Sequence, residues 1–308
     1  MVIHNPRKSR KAASGRGSHG AAGAGAGLGF VLRTLPPYAI AGLLIMLAGE
    51  VILFAGADWI ARWFTPIMWT GYILFVDGVI LARKKTSLLS KYPTEFAILA
   101  VISIASWEIF EGYNVLLGNW RYANLPDSFA VRLIGYAWSF ATISPGMFLT
   151  YELLEDLLPG ENPEKSPRLS DGLFYTLVIF GLGCVVIPLI WPSPYMTPLV
   201  WTGWAFFLDP INQRMGERSF VSELFSGKAR AILIMFLAGF LCGVLWEFWN
   251  FWAATKWEYH VPYLGHIKIF EMPVLGFLGF LPFAVESYAI YIFLRRLIPI
   301  KRQVRYLG

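Results

Sequence analysis

Six carboxylates stand inside stretches that are otherwise strongly apolar: Glu50, Asp77, Glu108, Asp209, Glu247 and Glu286. An ionisable side chain is costly to keep at bilayer depth, so such a residue reads by default as part of a pathway, a relay or a reaction centre. A carboxyl group in apolar surroundings can act as a general acid. Counted along helices at 1.5 Å per residue, Asp77 and Asp209 lie roughly 18 Å from the outer surface, and Glu108 and Glu247 roughly 10 to 15 Å from it. Each Asp is therefore expected near the Glu of its own half. Glu111 follows Glu108 by three residues and Asn250 follows Glu247 by three, so each pair shares one helix face. At the outer ends of helices polar groups cost little, and Glu111 and Asn250 read there as bordering water. Glu286, in the stretch LPFAVESYAIY, has no matching acid and breaks the symmetry. Its competing reading is a hydrogen bond across a helix interface.

Aromatic residues crowd these acids. Trp107, Trp246, Trp120, Trp257, Tyr122 and Tyr259 are the candidate substrate contacts, since ring faces attract a cation and supply apolar area. Taken singly, each Trp reads equally as part of an interfacial belt. Cys184 and Cys242 stand alone in apolar helices, and the four histidines show no helical metal spacing, so neither a metal nor a bound cofactor is expected.

The elements that must carry these residues are duplicated. TPIMWTGYILFVD at Thr65 to Asp77 and TPLVWTGWAFFLD at Thr197 to Asp209 agree at 7 of 13 positions. A second shared block begins at Trp107-Glu108 and Trp246-Glu247 and runs to Trp120-Arg121-Tyr122 and Trp257-Glu258-Tyr259. Pro145 and Tyr151 then match Pro282 and Tyr288. With 56% hydrophobic and 15% charged residues, the chain has too little polar surface for a soluble domain. Eight runs are long enough to span a membrane. They are Tyr38 to Gly56, Thr65 to Arg83, Glu95 to Leu117, Phe129 to Tyr151, Leu173 to Trp191, Met196 to Asn212, Lys228 to Trp252 and Lys268 to Arg295. The fold class is thus all-α, a polytopic membrane protein of about eight transmembrane helices arranged as two parallel four-helix repeats. The repeats occupy residues 38–155 and 173–295, joined by a polar linker at 156–172.

Of the 26 Lys and Arg, 21 fall on one face of this arrangement, and only Arg62, Arg121, Arg132, Lys256 and Lys268 fall on the other. Both termini are therefore expected in the cytoplasm, with a prokaryotic plasma membrane as the setting. Residues 1–37 are basic and rich in Gly, Ala and Ser, which reads as a disordered cytoplasmic tail, and residues 296–308 form a second basic tail. The net charge of +6 follows from this topology, and nothing resembles a nucleic-acid reader. The expected partners are membrane lipid and an apolar, isoprenoid-like substrate.

That substrate class comes from a resemblance. An apolar helix with Trp-Glu near its end, an aromatic loop (Gly-Asn-Trp-Arg-Tyr or Lys-Trp-Glu-Tyr), then a Pro-containing helix resembles the integral-membrane lycopene cyclase module, and carotenoid hydratases are similar. Trp107-Glu108 and Trp246-Glu247 fit its first element, and Pro282 with Glu286 fits its last. The resemblance covers about two helices per half. It departs where paired glutamates would follow the Pro and in having four helices per unit. It implies non-redox acid-base chemistry on isoprenoid double bonds. A transporter with its acids at the repeat interface, or a non-catalytic scaffold, is equally compatible with the residues.

Overall fold

The computed structural model describes residues 34–302. The sequence expectations for residues 1–33 and for the last six residues lie outside the described residues. The described residues from 35 onward belong to one compact unit.

The chain is mostly helical. Helices α1 (Pro37–Phe54), α2 (Asp58–Lys84) and α3 (Pro93–Leu117) are followed by strand β1 (Trp120–Ala123) and helices α4 (Phe129–Ala141) and α5 (Ile143–Leu157). The second half begins with α6 (Asp171–Ile190), α7 (Thr197–Arg214) and α8 (Arg230–Trp252), then strand β2 (Lys256–Tyr259). A small hairpin, β3 (Lys268–Ile269) and β4 (Met272–Pro273), leads through a 3-10 segment, Val274–Gly279, into α9 (Phe280–Leu297). Short helices Leu88–Lys91 and Phe220–Phe225 precede α3 and α8.

Six helical stretches are long and apolar enough to cross a membrane: Pro37–Phe54, Asp58–Lys84, Pro93–Leu117, Asp171–Ile190, Arg230–Trp252 and Val274–Leu297. The other two expected spans differ. Phe129 to Tyr151 is covered by two helices of 13 and 15 residues that meet at Thr142, whose hydroxyl donates to the Ser139 carbonyl at 2.7 Å. Met196 to Asn212 corresponds to the 18-residue α7, which carries Asp209 and Arg214. The span expected from Lys268 starts instead with the β hairpin, where Phe270 takes a left-handed turn conformation (φ 57°) and Pro273 has no N–H to begin a helix ladder. The expected helical fold holds, with two small antiparallel ribbons, β1–β2 and β3–β4, added to it.

Local chemistry explains the helix ends. Pro37 and Pro93 occupy first-turn positions of α1 and α3, where a missing N–H costs nothing. Gly118 ends α3 in the left-handed region, its N–H bonded to the Asn114 carbonyl at 2.8 Å. Hairpins α1–α2 and α6–α7 pack backbone to backbone. A Cβ on Gly71 would meet the Gly42 carbonyl at 2.8 Å, and one on Gly203 would meet the Cys184 Cβ at 2.9 Å. Small residues allow this approach, which dispersion then rewards.

The halves are tied crosswise. At the start of α3, Glu95 is buried against Arg295 at the end of α9, with N···O at 2.8 Å. At the start of α8, Arg230 donates to the Glu155 and Leu158 carbonyls at the end of α5, at 3.1 and 2.8 Å. A cation at a helix C-terminus satisfies carbonyls that lack intrahelical partners.

Candidate functional site

Strands β1 and β2 come from different halves and pair antiparallel, with Trp120 opposite Tyr259 and Tyr122 opposite Trp257. Side chains two apart on a strand share a face, so these four aromatics form one side of the ribbon. The other side carries Arg121 opposite Glu258, an ion pair at 2.8 Å. The Arg121 hydrogen bond holds the Glu258 carboxyl below the usual carboxylate range. The ribbon is a lid, polar outward and aromatic inward.

Each half presents a carboxylate to that aromatic face. In the second half, Glu247 Oε1 accepts from Trp257 Nε1 at 3.3 Å and from the Tyr259 hydroxyl at 3.1 Å. In the first half, the acceptor is Glu111, which receives Trp120 Nε1 at 3.1 Å, the Tyr122 hydroxyl at 2.5 Å and Trp107 Nε1 at 2.9 Å. Three residues on, Asn114 exchanges two hydrogen bonds with the backbone of Trp120 at 2.9 and 3.0 Å, and Asn250 does the same with Trp257. The repeated motif is therefore Glu-x-x-Asn followed by Trp-x-Tyr, and the structural counterpart of Glu247 is Glu111. Glu108 is exposed on the outside of α3. Burial, then the neighbouring carboxylate, pushes the Tyr122 and Tyr259 phenols well above their ordinary range, so both stay protonated and donate.

The two clusters are unequal. The position of Trp107 is taken in the second half by Gly243, and a Cβ there would sit 2.2 Å from the Phe280 ring. Glu247 thus has two donors on one oxygen, and its Oε2 is buried with no hydrogen-bond partner. A buried carboxylate oxygen left unpaired is costly unless something else meets it.

A cavity of about 580 Å³ has Glu247 among its lining residues. Trp107, Trp120, Tyr122, Trp246, Trp257 and Tyr259 all line it, together with Glu247. Repeat-related residues contribute from both halves: Thr65 and Pro66 from α2, Thr197, Pro198 and Trp201 from α7. Behind the lining the rings continue across the interface, with the buried Trp69 4.9 Å from Trp246 and the buried Phe110 stacked 5.0 Å from Trp201. Glu247 itself is fully buried, with 0% of its surface open to water.

The remaining candidates lie elsewhere. Asp77 accepts the Tyr38 hydroxyl at 2.7 Å, the Ser87 hydroxyl at 2.8 Å and the Leu89 amide at 3.0 Å. Asp209 accepts the Ser219 hydroxyl and the Phe220 and Val221 amides, the last two at 3.3 and 2.9 Å. Both aspartates cap the short helices before α3 and α8. Leu89 precedes α3, whereas Glu111 lies 18 residues into it, roughly 27 Å away along the axis. The expected closeness of Asp and Glu in each half is corrected accordingly, because the aspartates bind the connections at the opposite helix end. Glu286 is fully buried between α7 and α9, its Oε1 accepting the Trp204 amide at 3.0 Å and its Oε2 unpartnered, and it does not line the cavity.

Among the described residues no group of three or more His, Cys, Asp or Glu could hold a metal ion. The site offers one buried carboxyl, hydroxyl and indole donors to it, and an aromatic wall. Comparison with protein families, with curated proteins and with solved structures finds no match.

Proposed function

We propose that the chain is an eight-span membrane enzyme, two parallel four-helix units with both termini cytoplasmic, that uses Glu247 for acid-base chemistry on an isoprenoid double bond. The observation that carries this reading is Glu247, a lining residue of an apolar, aromatic cavity whose Oε2 is buried without a hydrogen-bond partner. In its acid form Glu247 gives its proton to one carbon of a C=C bond, and the π electron pair becomes the new C–H bond. The cationic carbon faces indole and phenol rings that stabilise it. Attack by a second double bond, followed by loss of a proton to the Glu247 carboxylate, yields a cyclic or shifted isomer. Attack by water, which then gives up a proton, yields an alcohol. Neither outcome changes the redox state, and no bound cofactor is required.

The volume narrows what enters. A cavity of about 580 Å³ falls in the range of roughly 300 to 1,000 Å³ that encloses a drug-sized molecule. It takes one end of a long polyene, with the remainder in lipid. None of its lining residues lies on the short helices beside Asp77 and Asp209, which favours a one-sided pocket over a polar route between the two faces.

The test is Glu247→Gln, which keeps the shape and the hydrogen bonds of Oε1 but cannot carry the proton. Extracted lipids are compared by mass spectrometry among cells expressing the wild type, the variant or neither. The expected result is an isomer or water adduct with the wild type alone. Identical lipid profiles in all three would contradict the reading.

A further inference from the structure

The notable charges near the cavity are cations without anions. Among the described residues, the Lys and Arg that the sequence assigns to the side carrying the ribbon are Arg62, Arg121, Arg132, Lys256 and Lys268. Three are occupied. Arg121 pairs with Glu258 at 2.8 Å, Lys256 pairs with Glu271 at 2.5 Å, and Lys268 donates to the Tyr259 carbonyl at 3.3 Å. Among the described residues Arg62 makes no ion pair, and Arg132 has a long contact of 3.4 Å to the Pro126 carbonyl and no carboxylate. Both of these arginines line the aromatic cavity.

Their placement repeats on two helices. Arg62 is four residues into α2 and Arg132 three residues into α4, so each guanidinium belongs to the second turn, roughly 5 or 6 Å from the helix start. Thr65 is three residues beyond Arg62, on the same face of α2. Its hydroxyl oxygen is buried without a hydrogen-bond partner, and Thr65 too lines the cavity. The equivalent Thr197 is satisfied, donating to Asn119 Oδ1 at 2.9 Å. The first-half wall of the cavity therefore holds two uncompensated guanidinium groups and one unsatisfied hydroxyl, and the second-half wall holds Glu247.

We infer that the ligand of this cavity is an anionic amphiphile, its phosphate-like headgroup held by Arg62, Arg132 and the Thr65 hydroxyl at interfacial depth and its prenyl chain packed among the rings. Guanidinium groups bind tetrahedral oxyanions through paired, charge-assisted hydrogen bonds, and they need no bridging metal. An uncharged polyene leaves those cations unmatched. The inference rests on the proposed function for the prenyl chain, and on Arg62, Arg132 and Thr65 alone for the headgroup.

The experiment measures binding to the purified full chain in nanodiscs of zwitterionic lipid, by tryptophan fluorescence, with farnesyl phosphate, farnesol and inorganic phosphate as probes. Farnesyl phosphate is expected to bind the wild type about tenfold or more tighter than farnesol, tenfold being the smallest gain that one net charge-assisted contact gives. In Arg62→Gln/Arg132→Gln that preference disappears while farnesol affinity stays, and in Arg121→Gln, a control on the same face, it persists. Inorganic phosphate at millimolar concentration competes weakly with farnesyl phosphate and leaves farnesol binding unchanged. Equal wild-type affinity for the phosphate and the alcohol, or a preference that survives the double substitution, would each overturn the headgroup assignment. Failure of farnesol and farnesyl phosphate alike to bind would instead sink the isoprenoid pocket itself.

Discussion

Glu111 and Glu247 occupy matching positions in two copies of one motif, yet they face different demands. Glu111 has three donors on one carboxylate oxygen, supplied by Trp107, Trp120 and Tyr122. Glu247 has two, because Gly243 replaces the indole and the Phe280 ring fills the space. The difference teaches how duplication divides labour. In the proposed reading the half-buried Glu111, held by three donors on one oxygen, anchors the ribbon, and Glu247, whose second oxygen is buried and unpaired, is the one used for chemistry. Its cost is visible as an unpaired buried atom.

The comparison can be broken most forcefully through activity. Glu247→Gln is expected to lower turnover of the isoprenoid by about a thousandfold, the middle of the range for losing a general acid, with little change in melting temperature. Glu111→Ala should do the reverse. It strands three buried donors and is expected to cost about 3 kcal/mol of stability, read as a lowered midpoint of thermal unfolding in detergent. If both substitutions abolish activity without altering stability, the two sites are not divided as described.

Smaller changes sharpen the contrast. Trp107→Phe removes the third donor from Glu111 and keeps the ring, so it should cost about 1 kcal/mol and make the first cluster resemble the second. Carboxylate infrared bands of the purified protein would follow the lost hydrogen bond. Arg121→Ala breaks an exposed cross-strand ion pair and should move stability by less than about 1 kcal/mol, with no effect on product formation. A larger effect would mean that the outer side of the ribbon, and not its aromatic side, holds the halves together.

The duplicated stretch ending at Asp77 and Asp209 was legible because membrane helices show plainly as apolar runs and a seven-in-thirteen match is hard to miss. The aromatics of the cavity were legible for the same reason, as Trp-x-Tyr recurs in both copies. The partner of Glu247 was not. Aligning Trp107-Glu108 with Trp246-Glu247 places the first-half acid three residues too early, nearly one helical turn, and so selects the exposed Glu108 in place of Glu111. The signal that separates them is Asn114 and Asn250, each three residues after the inward-facing glutamate and each bonded to the strand that follows. The aspartates misled for a different reason. An apolar helix shows where it runs but not which end its polar group serves, and Ser87 and Ser219, ten residues beyond each Asp, are recognisable as partners only once the chain turns back. The ribbon escaped because pairing between segments 137 residues apart leaves no local pattern.

The inequality of the two carboxylates can be read without knowing the substrate. An apolar carbodiimide such as dicyclohexylcarbodiimide, which reacts with carboxyl groups reachable from lipid-like surroundings, is added to the purified full chain and the modified peptides are quantified by mass spectrometry over time. The expected result is modification at Glu247 several-fold faster than at Glu111, abolished by Glu247→Gln. Equal rates at the two positions, or faster reaction at Glu111, would contradict the assignment of Glu247 as the available acid.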